Sequence, residues 1–122
     1  MSNYIDGFAF PLPRDRVDNY KQMAQSVADI WLEHGALAYH EYAGDDMVLE
    51  GTRPFTDTLA TSEDEIVVFG WVVFESREAR DLANERVAAD PRVANLMGEA
   101  DSGFDPSRML YGGFKSFVKS GG

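Results

Sequence analysis

The stretch EIVVFGWVVF, residues 65–74, is the most apolar run of the 122-residue chain. Its β-branched and aromatic residues are typical of a β-strand, and both sets of alternating positions are apolar. Such a strand is expected inside a sheet, with other parts of the protein covering both of its faces. The remaining elements are therefore interpreted as its neighbours and its covers.

Two strands are predicted before this stretch. Residues 4–10 alternate, which places Tyr4, Asp6, Phe8 and Phe10 on one face. Pro11 and Pro13 are expected to end this strand because proline lacks the N–H that a sheet needs. Residues 36–43 alternate in the same way, and residues 44–58 are predicted to form a long loop with a short strand around 55–59.

The helices are indicated by apolar residues spaced three and four apart. Residues 14–34 carry such a stripe, and Gly35 is a typical helix C-cap. Ser76 is a typical N-cap for a helix that reaches residue 89, with Ala79, Leu82, Ala83 and Val87 predicted to be buried. A short helix at 91–97, a loop at 98–106 and a last strand at 108–118 complete the chain. We predict a single domain at 1–119 and a flexible tail at 120–122.

The order strand, helix, strand, strand, helix, strand predicts an α+β protein with the ferredoxin-like split βαβ motif. This motif is a four-stranded antiparallel sheet with both helices on one face. Two helices leave the other face uncovered, yet residues 65–74 are apolar on both sides. A second copy of the chain packed sheet to sheet would cover that face, and so would the loop at 44–58. We favour the homodimer.

Composition limits the possible partners. The chain has 21 acidic and 11 basic residues, giving a formal net charge of −10, and it has no cysteine. This charge opposes binding to nucleic acids and to anionic membranes. The absence of cysteine excludes disulfides and thiolate metal sites. With no basic N-terminal segment and no run of about 20 apolar residues, a cytoplasmic protein is expected.

Four segments together resemble the YbaA-like bacterial family of small proteins of unknown function. They are YIDGFAFPLPRDRVDNY at 4–20, WLEHGALAYHEYAGDD at 31–46, DEIVVFGWVVFESREARDLANERVAADPR at 64–92 and FDPSRMLYGGF at 104–114. The resemblance extends over about residues 4–118. It implies the dimeric α+β barrel superfamily and implies no particular activity. Haem-handling members of that superfamily use a histidine on the second helix, and residues 76–98 contain none, which argues against haem.

Two residues are candidates for catalysis. His34 lies at the end of the first predicted helix, where it could act as a base or could instead cap the helix carbonyls. Asp6 is a carboxylate on an aromatic strand face, where burial could raise its pKa. The alternatives for Asp6 are a salt bridge to Arg77 or Arg108, or a hydrogen bond across the dimer. A metal site of His34, Glu41 and Asp45 matches no metal-binding motif, so no metal is predicted.

Ligand-binding candidates are the polar and aromatic residues expected near the cleft between sheet and helices. They are Tyr39, Glu41, Trp71, Arg77, Arg108 and Tyr111. Aromatic rings can line such a cleft, and a guanidinium group can hold a carboxylate or phosphate. The pair Gly112-Gly113 lacks the spacing of a phosphate-binding loop and indicates close packing inside a strand.

Three functions remain open at this point. We favour a homodimeric domain that binds a small ligand in the cleft. The second possibility is a cofactor-free enzyme of the monooxygenase or isomerase type known in the superfamily. The third is a structural or regulatory domain that binds other proteins. No cofactor is predicted for any of them.

Overall fold

The apolar stretch at residues 65–74 forms an inner strand of a four-stranded sheet. The computed structural model describes residues 3–121, so Met1, Ser2 and Gly122 lie outside the described residues, and with them the last residue of the predicted tail. The elements are β1 (Tyr4–Pro13), a 3₁₀ turn (Arg14–Arg16), α1 (Val17–Glu33), β2 (Ala38–Ala43), α2 (Phe55–Thr58), β3 (Glu65–Phe74), α3 (Arg77–Ala89), α4 (Pro91–Glu99), a 3₁₀ turn (Pro106–Arg108) and β4 (Leu110–Lys115).

The strands lie in the order β2-β3-β1-β4, and all neighbours are antiparallel. In this register Asp6 is opposite Val72 on one side and Gly113 on the other. This order is the split βαβ arrangement, so the predicted α+β fold class is confirmed. No helix within residues 3–121 is both long and apolar enough to span a bilayer.

The prediction that Pro11 and Pro13 end the first strand was wrong. β1 continues to Pro13, paired with β3 along its whole length, while β4 pairs only as far as Ala9. The backbone N–H of Arg14 donates to the Asp64 carbonyl on the β3 side at 2.8 Å. Because amides alternate along a strand, the nitrogens of Pro11 and Pro13 point away from β3, past the end of β4. No ladder donor is needed there.

One face of the sheet packs against α1, α3 and α4. The largest fully buried side chains, Phe10, Leu12 and Phe74, lie on this face. The ring of Phe10 meets those of Tyr20 and Phe104 edge-on, with centroids 5.5 and 4.9 Å away. Full burial of one such side chain contributes about 1.5–3 kcal/mol. This face therefore holds most of the core.

The helix ends follow the local sequence, with one difference in what they bury. Gly35 has φ +116°, a backbone conformation that favours glycine after a helix. The hydroxyl of Ser76 accepts a hydrogen bond from the N–H of Ala79 at 3.1 Å, which confirms the N-cap of α3. Leu82, however, is 45% exposed, so its predicted burial was wrong. Arg80 occupies the inward position instead, with Ala83 and Val87.

The opposite face, which we call the open face, is covered only at one end. Met47 and Leu59 pack there on Ala9 and Val67. The predicted strand around 55–59 was wrong, because residues 55–58 form one helical turn. The turn satisfies backbone groups within itself, for example Leu59 N–H to the Phe55 carbonyl at 3.0 Å.

The last strand is shorter than the predicted 108–118. Asp105 Oδ1 accepts a hydrogen bond from the N–H of Ser107 at 3.0 Å, which starts a 3₁₀ turn before the strand. At the other end Ser116 pairs with Asn3, and β1 begins at Tyr4. β4 therefore ends where its neighbour begins.

Candidate functional site

A cavity of about 410 Å³ lies between the helix-covered face of the sheet and the helices. Its wall is almost entirely aromatic and aliphatic. From the sheet it is lined by Asp6, Phe8, Tyr39 and Tyr111, and from the helices and the segment after them by Trp31, Asn84, Met97 and Phe104, among others. The structure thus brings together three predicted site residues, Asp6, Tyr39 and Tyr111.

Asp6 is the polar centre of this cavity. It is only 6% exposed, although it is charged in its ordinary state. The hydroxyl of Tyr111 donates to Asp6 Oδ1 at 2.7 Å, and Arg80 Nη1 donates to the same oxygen at 3.2 Å. Within residues 3–121 both hydrogen bonds go to Oδ1, so Oδ2 is left available.

Arg80 connects Asp6 to two tyrosines. Its Nη1 donates to the hydroxyl of Tyr111 at 2.8 Å, and its Nη2 donates to that of Tyr4 at 3.0 Å. The guanidinium carbon also lies 4.9 Å from the centre of the Tyr4 ring. Gly113 makes this possible, because a Cβ there would collide with the Tyr4 hydroxyl. The close-packing interpretation of Gly112-Gly113 is therefore confirmed at Gly113.

The surroundings of Asp6 shift its protonation equilibrium. Burial is the largest effect and raises the pKa of Asp6, although the hydrogen bond from Tyr111 and the charge of Arg80 act in the opposite direction. Burial and the neighbouring Asp6 raise the pKa of Tyr111 to about 12. Asp6 thus takes up a proton more readily than an exposed aspartate. A carboxyl group of this kind can accept or donate a hydrogen bond at a ligand.

Glu41 lies on the same sheet face but belongs to a second cavity. This groove of about 500 Å³ runs between α1 and β2, the strand at the edge of the sheet. The hydroxyl of Tyr20 donates to Glu41 Oε1, and burial raises the pKa of Glu41. Tyr20, Ala24 and Tyr39 line both cavities, and the two tyrosines form the wall between them.

Trp71 lies on the open face and does not line either cavity. In β3 it is opposite Gly7, whereas the residues on either side of it, Gly70 and Val72, face the helices. Its ring stacks on that of Tyr42, with centroids 5.3 Å apart. Trp71 is therefore placed for contacts across the open face rather than in the cleft.

The two arginines predicted to bind ligand both pair with acids outside the cavity. Arg77 is exposed and lies 3.9 Å from Asp81. Arg108 holds both carboxylate oxygens of Glu65, at 2.6 and 3.1 Å, and donates to the carbonyl of Ala60 at 3.1 Å. These bonds tie the end of the α2 segment to β3. The arginine at Asp6 is thus Arg80, and neither Arg77 nor Arg108.

His34 is placed at a junction of helices rather than in a cavity. Its Nε2 lies 2.8 Å from Asp90 Oδ2, and Arg92 Nη2 donates to the same oxygen at 2.8 Å. The ring therefore joins the end of α1 to the α3–α4 corner through Asp90 and does not cap helix carbonyls. Within residues 3–121 no three His, Asp or Glu side chains are placed to hold a metal ion together.

The roles of Arg80, Tyr4 and Tyr20 were not predicted from the sequence. A signal for Arg80 was present, because it lies three and seven positions before Ala83 and Val87 and so falls on the inward stripe of α3. An arginine on such a stripe needs a buried acid. Asp6 is that acid, but only the strand register brings the two together.

The fold and this cavity define a class of protein: a small α+β domain with a buried carboxylate, Asp6, in an apolar cavity between the sheet and the helices. The chain belongs to the family "Protein of unknown function (DUF1428)", whose profile matches residues 3–106. It is 38% identical over 115 residues to the "Uncharacterized protein YbaA" of Escherichia coli K12, covering 94% of this chain and 97% of that protein. The YbaA protein of Shigella flexneri is equally similar. The predicted family is confirmed.

Solved structures with the same fold have distant sequences. A nipsnap family protein of unknown function from Agrobacterium tumefaciens aligns with a TM-score of 0.58 and 16% identity, over 97% of this chain and 91% of that one. Rv0793 from Mycobacterium tuberculosis aligns with a TM-score of 0.51 and 14% identity, over 98% and 97%. At this level of identity the likeness concerns the fold alone.

Proposed function

We propose that the protein binds a small, largely apolar molecule in the cavity beside Asp6. The observation that carries this proposal is a buried carboxylate, with one oxygen available, on the wall of an otherwise apolar cavity. Ligand sites are commonly apolar cavities of about 300–1,000 Å³ with a few convergent polar groups. The cavity of about 410 Å³ lies within that range.

Asp6 and Tyr111 together limit the chemistry of the ligand. An ionised Asp6 accepts a hydrogen bond through Oδ2, and a protonated Asp6 donates one. The hydroxyl of Tyr111 already donates to Oδ1 and keeps the carboxyl group in a fixed orientation. A ring or chain with one hydroxyl or carbonyl group satisfies these conditions. Phenols and quinones are therefore the first compounds to test.

The test is a thermal-shift screen with phenols, quinones and small aromatic carboxylates, followed by titration of each hit. Asp6→Asn keeps the shape of the side chain but removes its charge, and we expect it to weaken binding at least tenfold. His34→Gln is the matched control, because His34 lies outside the cavity, and should bind like the unmodified protein. A hit that binds Asp6→Asn and Tyr111→Phe unchanged would show that the cavity is not the site.

The position of Asp6, buried on the wall of an apolar cavity where burial raises its pKa, favours a second candidate function, cofactor-free acid–base catalysis. A carboxyl group in an apolar site can remove a proton next to a carbonyl group and return it elsewhere, as in an isomerisation. Transfer of deuterium from D₂O into a bound ketone, followed by NMR, distinguishes this activity from binding alone. Exchange should stop in Asp6→Asn, whereas a pure binding protein causes none in either form.

Self-association through the open face is the second part of the proposal. Tyr42, Phe69 and Phe114 are between 42% and 58% exposed there. Glu65 is the one charged residue on this face within the described strands, and Arg108 neutralises it. Two chains of net charge −10 repel each other over most of their surface. The strands of the open face therefore add little repulsion when a second copy approaches.

A further inference from the structure

Glu41 differs from the other acids that are removed from solvent. Four acidic side chains within residues 3–121 are not exposed: Asp6, Glu41, Glu65 and Asp90. An arginine lies within 4.0 Å of three of them, Arg80 at Asp6, Arg108 at Glu65 and Arg92 at Asp90. In the same part of the chain Glu41 forms no ion pair, and its one hydrogen bond, from Tyr20, reaches Oε1 only.

Leaving a carboxylate without a cation in such a place is costly. Burial disfavours its charged form, and the pKa of Glu41 is accordingly raised. A nearby positive charge would reverse much of that cost. Since the Tyr20 hydroxyl holds Oε1, the second oxygen is the one that can receive a new donor.

Space for that donor lies beside Glu41. The groove between α1 and β2 measures about 500 Å³, and its floor is apolar, with Leu12, Val17, Ile66 and Val68 among its lining residues. Its rim carries Lys21 and Gln25 of α1, which are both exposed. Glu41 faces the helices, so a dimer formed through the open face leaves this groove accessible.

We propose that this groove is a second ligand site, which binds an organic cation: an ammonium or guanidinium group at Glu41, carried on a short apolar or aromatic body on the groove floor. The chain's net charge of −10 also raises the local concentration of cations. The site is independent of the Asp6 cavity, because the wall of Tyr20 and Tyr39 separates the two.

Three probes of similar size and different charge test the proposal: phenethylamine, phenethyl alcohol and phenylacetate. Binding is measured by calorimetry and by NMR shifts of backbone amides around β2 and α1. We expect the amine to bind at least tenfold more tightly than the alcohol, and phenylacetate to bind least. Equal affinities for amine and alcohol would overturn the proposal without the use of any variant.

Variants then assign the site. Glu41→Gln keeps an oxygen for the Tyr20 hydroxyl but removes the charge, and should weaken amine binding at least tenfold. Lys21→Met removes a competing cation from the rim and should leave the affinity unchanged or increase it. Asp6→Asn is the matched control in the other cavity and should bind the amine normally. If Asp6→Asn loses the amine and Glu41→Gln keeps it, the cation belongs to the Asp6 cavity and this proposal is wrong.

Discussion

At the scale of single residues, the buried charges of this protein are of two opposite kinds. Asp6 and Glu41 have raised pKa values because burial dominates. Glu65 and Asp90 have lowered pKa values because hydrogen bonds from arginines dominate. Carboxylates of the first kind, Asp6 and Glu41, reduce the stability of the fold when they are ionised, and they lie at the two cavities. The second kind adds stability and lies at junctions between elements.

Replacing Arg80 tests the first kind of buried charge, represented by Asp6. Arg80→Met should destabilise the protein by about 3 kcal/mol at pH 7, because it leaves the buried carboxylate of Asp6 without its cation. The cost should shrink on acidification, since a raised folded-state pKa means that the folded protein takes up a proton at Asp6 before the unfolded chain does. Urea unfolding at pH 7 and pH 4.5 measures both effects.

The double variant Arg80→Met/Asp6→Asn is the control for this experiment. It removes the unpaired charge and should recover part of the lost stability. A cost below about 1 kcal/mol for Arg80→Met, as for an exposed ion pair, would contradict the buried arrangement of Arg80 and Asp6.

Glu65 tests the second kind. The bonds from Arg108 lower the pKa of Glu65 from 4.5 to about 2. Its stabilising contribution is therefore fully present above pH 4.5 and is lost as the pH falls towards about 2. Glu65→Gln should lower the melting temperature at pH 7, and the gap should close over that pH range. Glu85→Gln, at an exposed position, is the control, and an equally large gap at all pH values would refute the assignment.

At the scale of elements, the local sequence predicts which face of the sheet a side chain occupies better than it predicts where a strand ends. Alternation predicted correctly that Tyr4, Asp6, Phe8 and Phe10 share a face, since strand geometry fixes that pattern. The predicted end of β1 was wrong because the energetic cost of a proline in this strand depends on whether β4 lies beside it. That neighbour is more than 90 residues away in the chain, and no local signal reports it.

The candidate site was predictable in the same partial way. Asp6 and Tyr111 were identifiable because polar groups on an aromatic strand face are unusual. Arg80 was not assigned to them, since the choice between Arg77, Arg80 and Arg108 requires the position of α3 over the sheet. Trp71 was expected in the cleft because aromatic character alone does not say which face of an inner strand is covered by helices.

Gly70 tests the packing of the inner strand. A Cβ at this position would lie 2.5 Å from the His40 carbonyl oxygen and 2.7 Å from Phe8 Cζ. Because the carbonyl belongs to the neighbouring strand, it cannot rotate away. Gly70→Ala should therefore cost about 2–3 kcal/mol, as overpacked substitutions do. Chemical unfolding of the variant and the unmodified protein measures this difference.

Gly112→Ala is the matched control for Gly70→Ala. Its Cβ would meet the ring of Phe114 at 3.0 Å, and a side-chain ring can shift aside where the carbonyl of a neighbouring strand cannot. We expect Gly112→Ala to cost less than about 1 kcal/mol. Equal costs for the two variants would show that backbone crowding at Gly70 is not the cause.

At the scale of the whole molecule, the two faces of the sheet differ in what covers them. The helix-covered face holds most of the core and the cavities beside Asp6 and Glu41. The open face carries a continuous set of aromatic rings, in which Phe55, Phe69, Trp71 and Tyr42 follow one another at centroid distances of 5.7, 5.8 and 5.3 Å. The segment at 44–58 covers one end of this face, and the rest is the surface on which we propose that a second copy packs.

Sedimentation at micromolar concentrations tests whether a second copy of the chain binds. We expect about 27 kDa, twice the 13.6 kDa chain, because association removes the exposed rings from water. Phe69→Asp places a charge at the centre of the open face and should give a monomer. Leu82→Asp is the control, since Leu82 is 45% exposed on α3, on the other side of the sheet, and should stay dimeric. A monomeric unmodified protein, or a dimer that only Leu82→Asp dissociates, would show that the open face does not pair with itself.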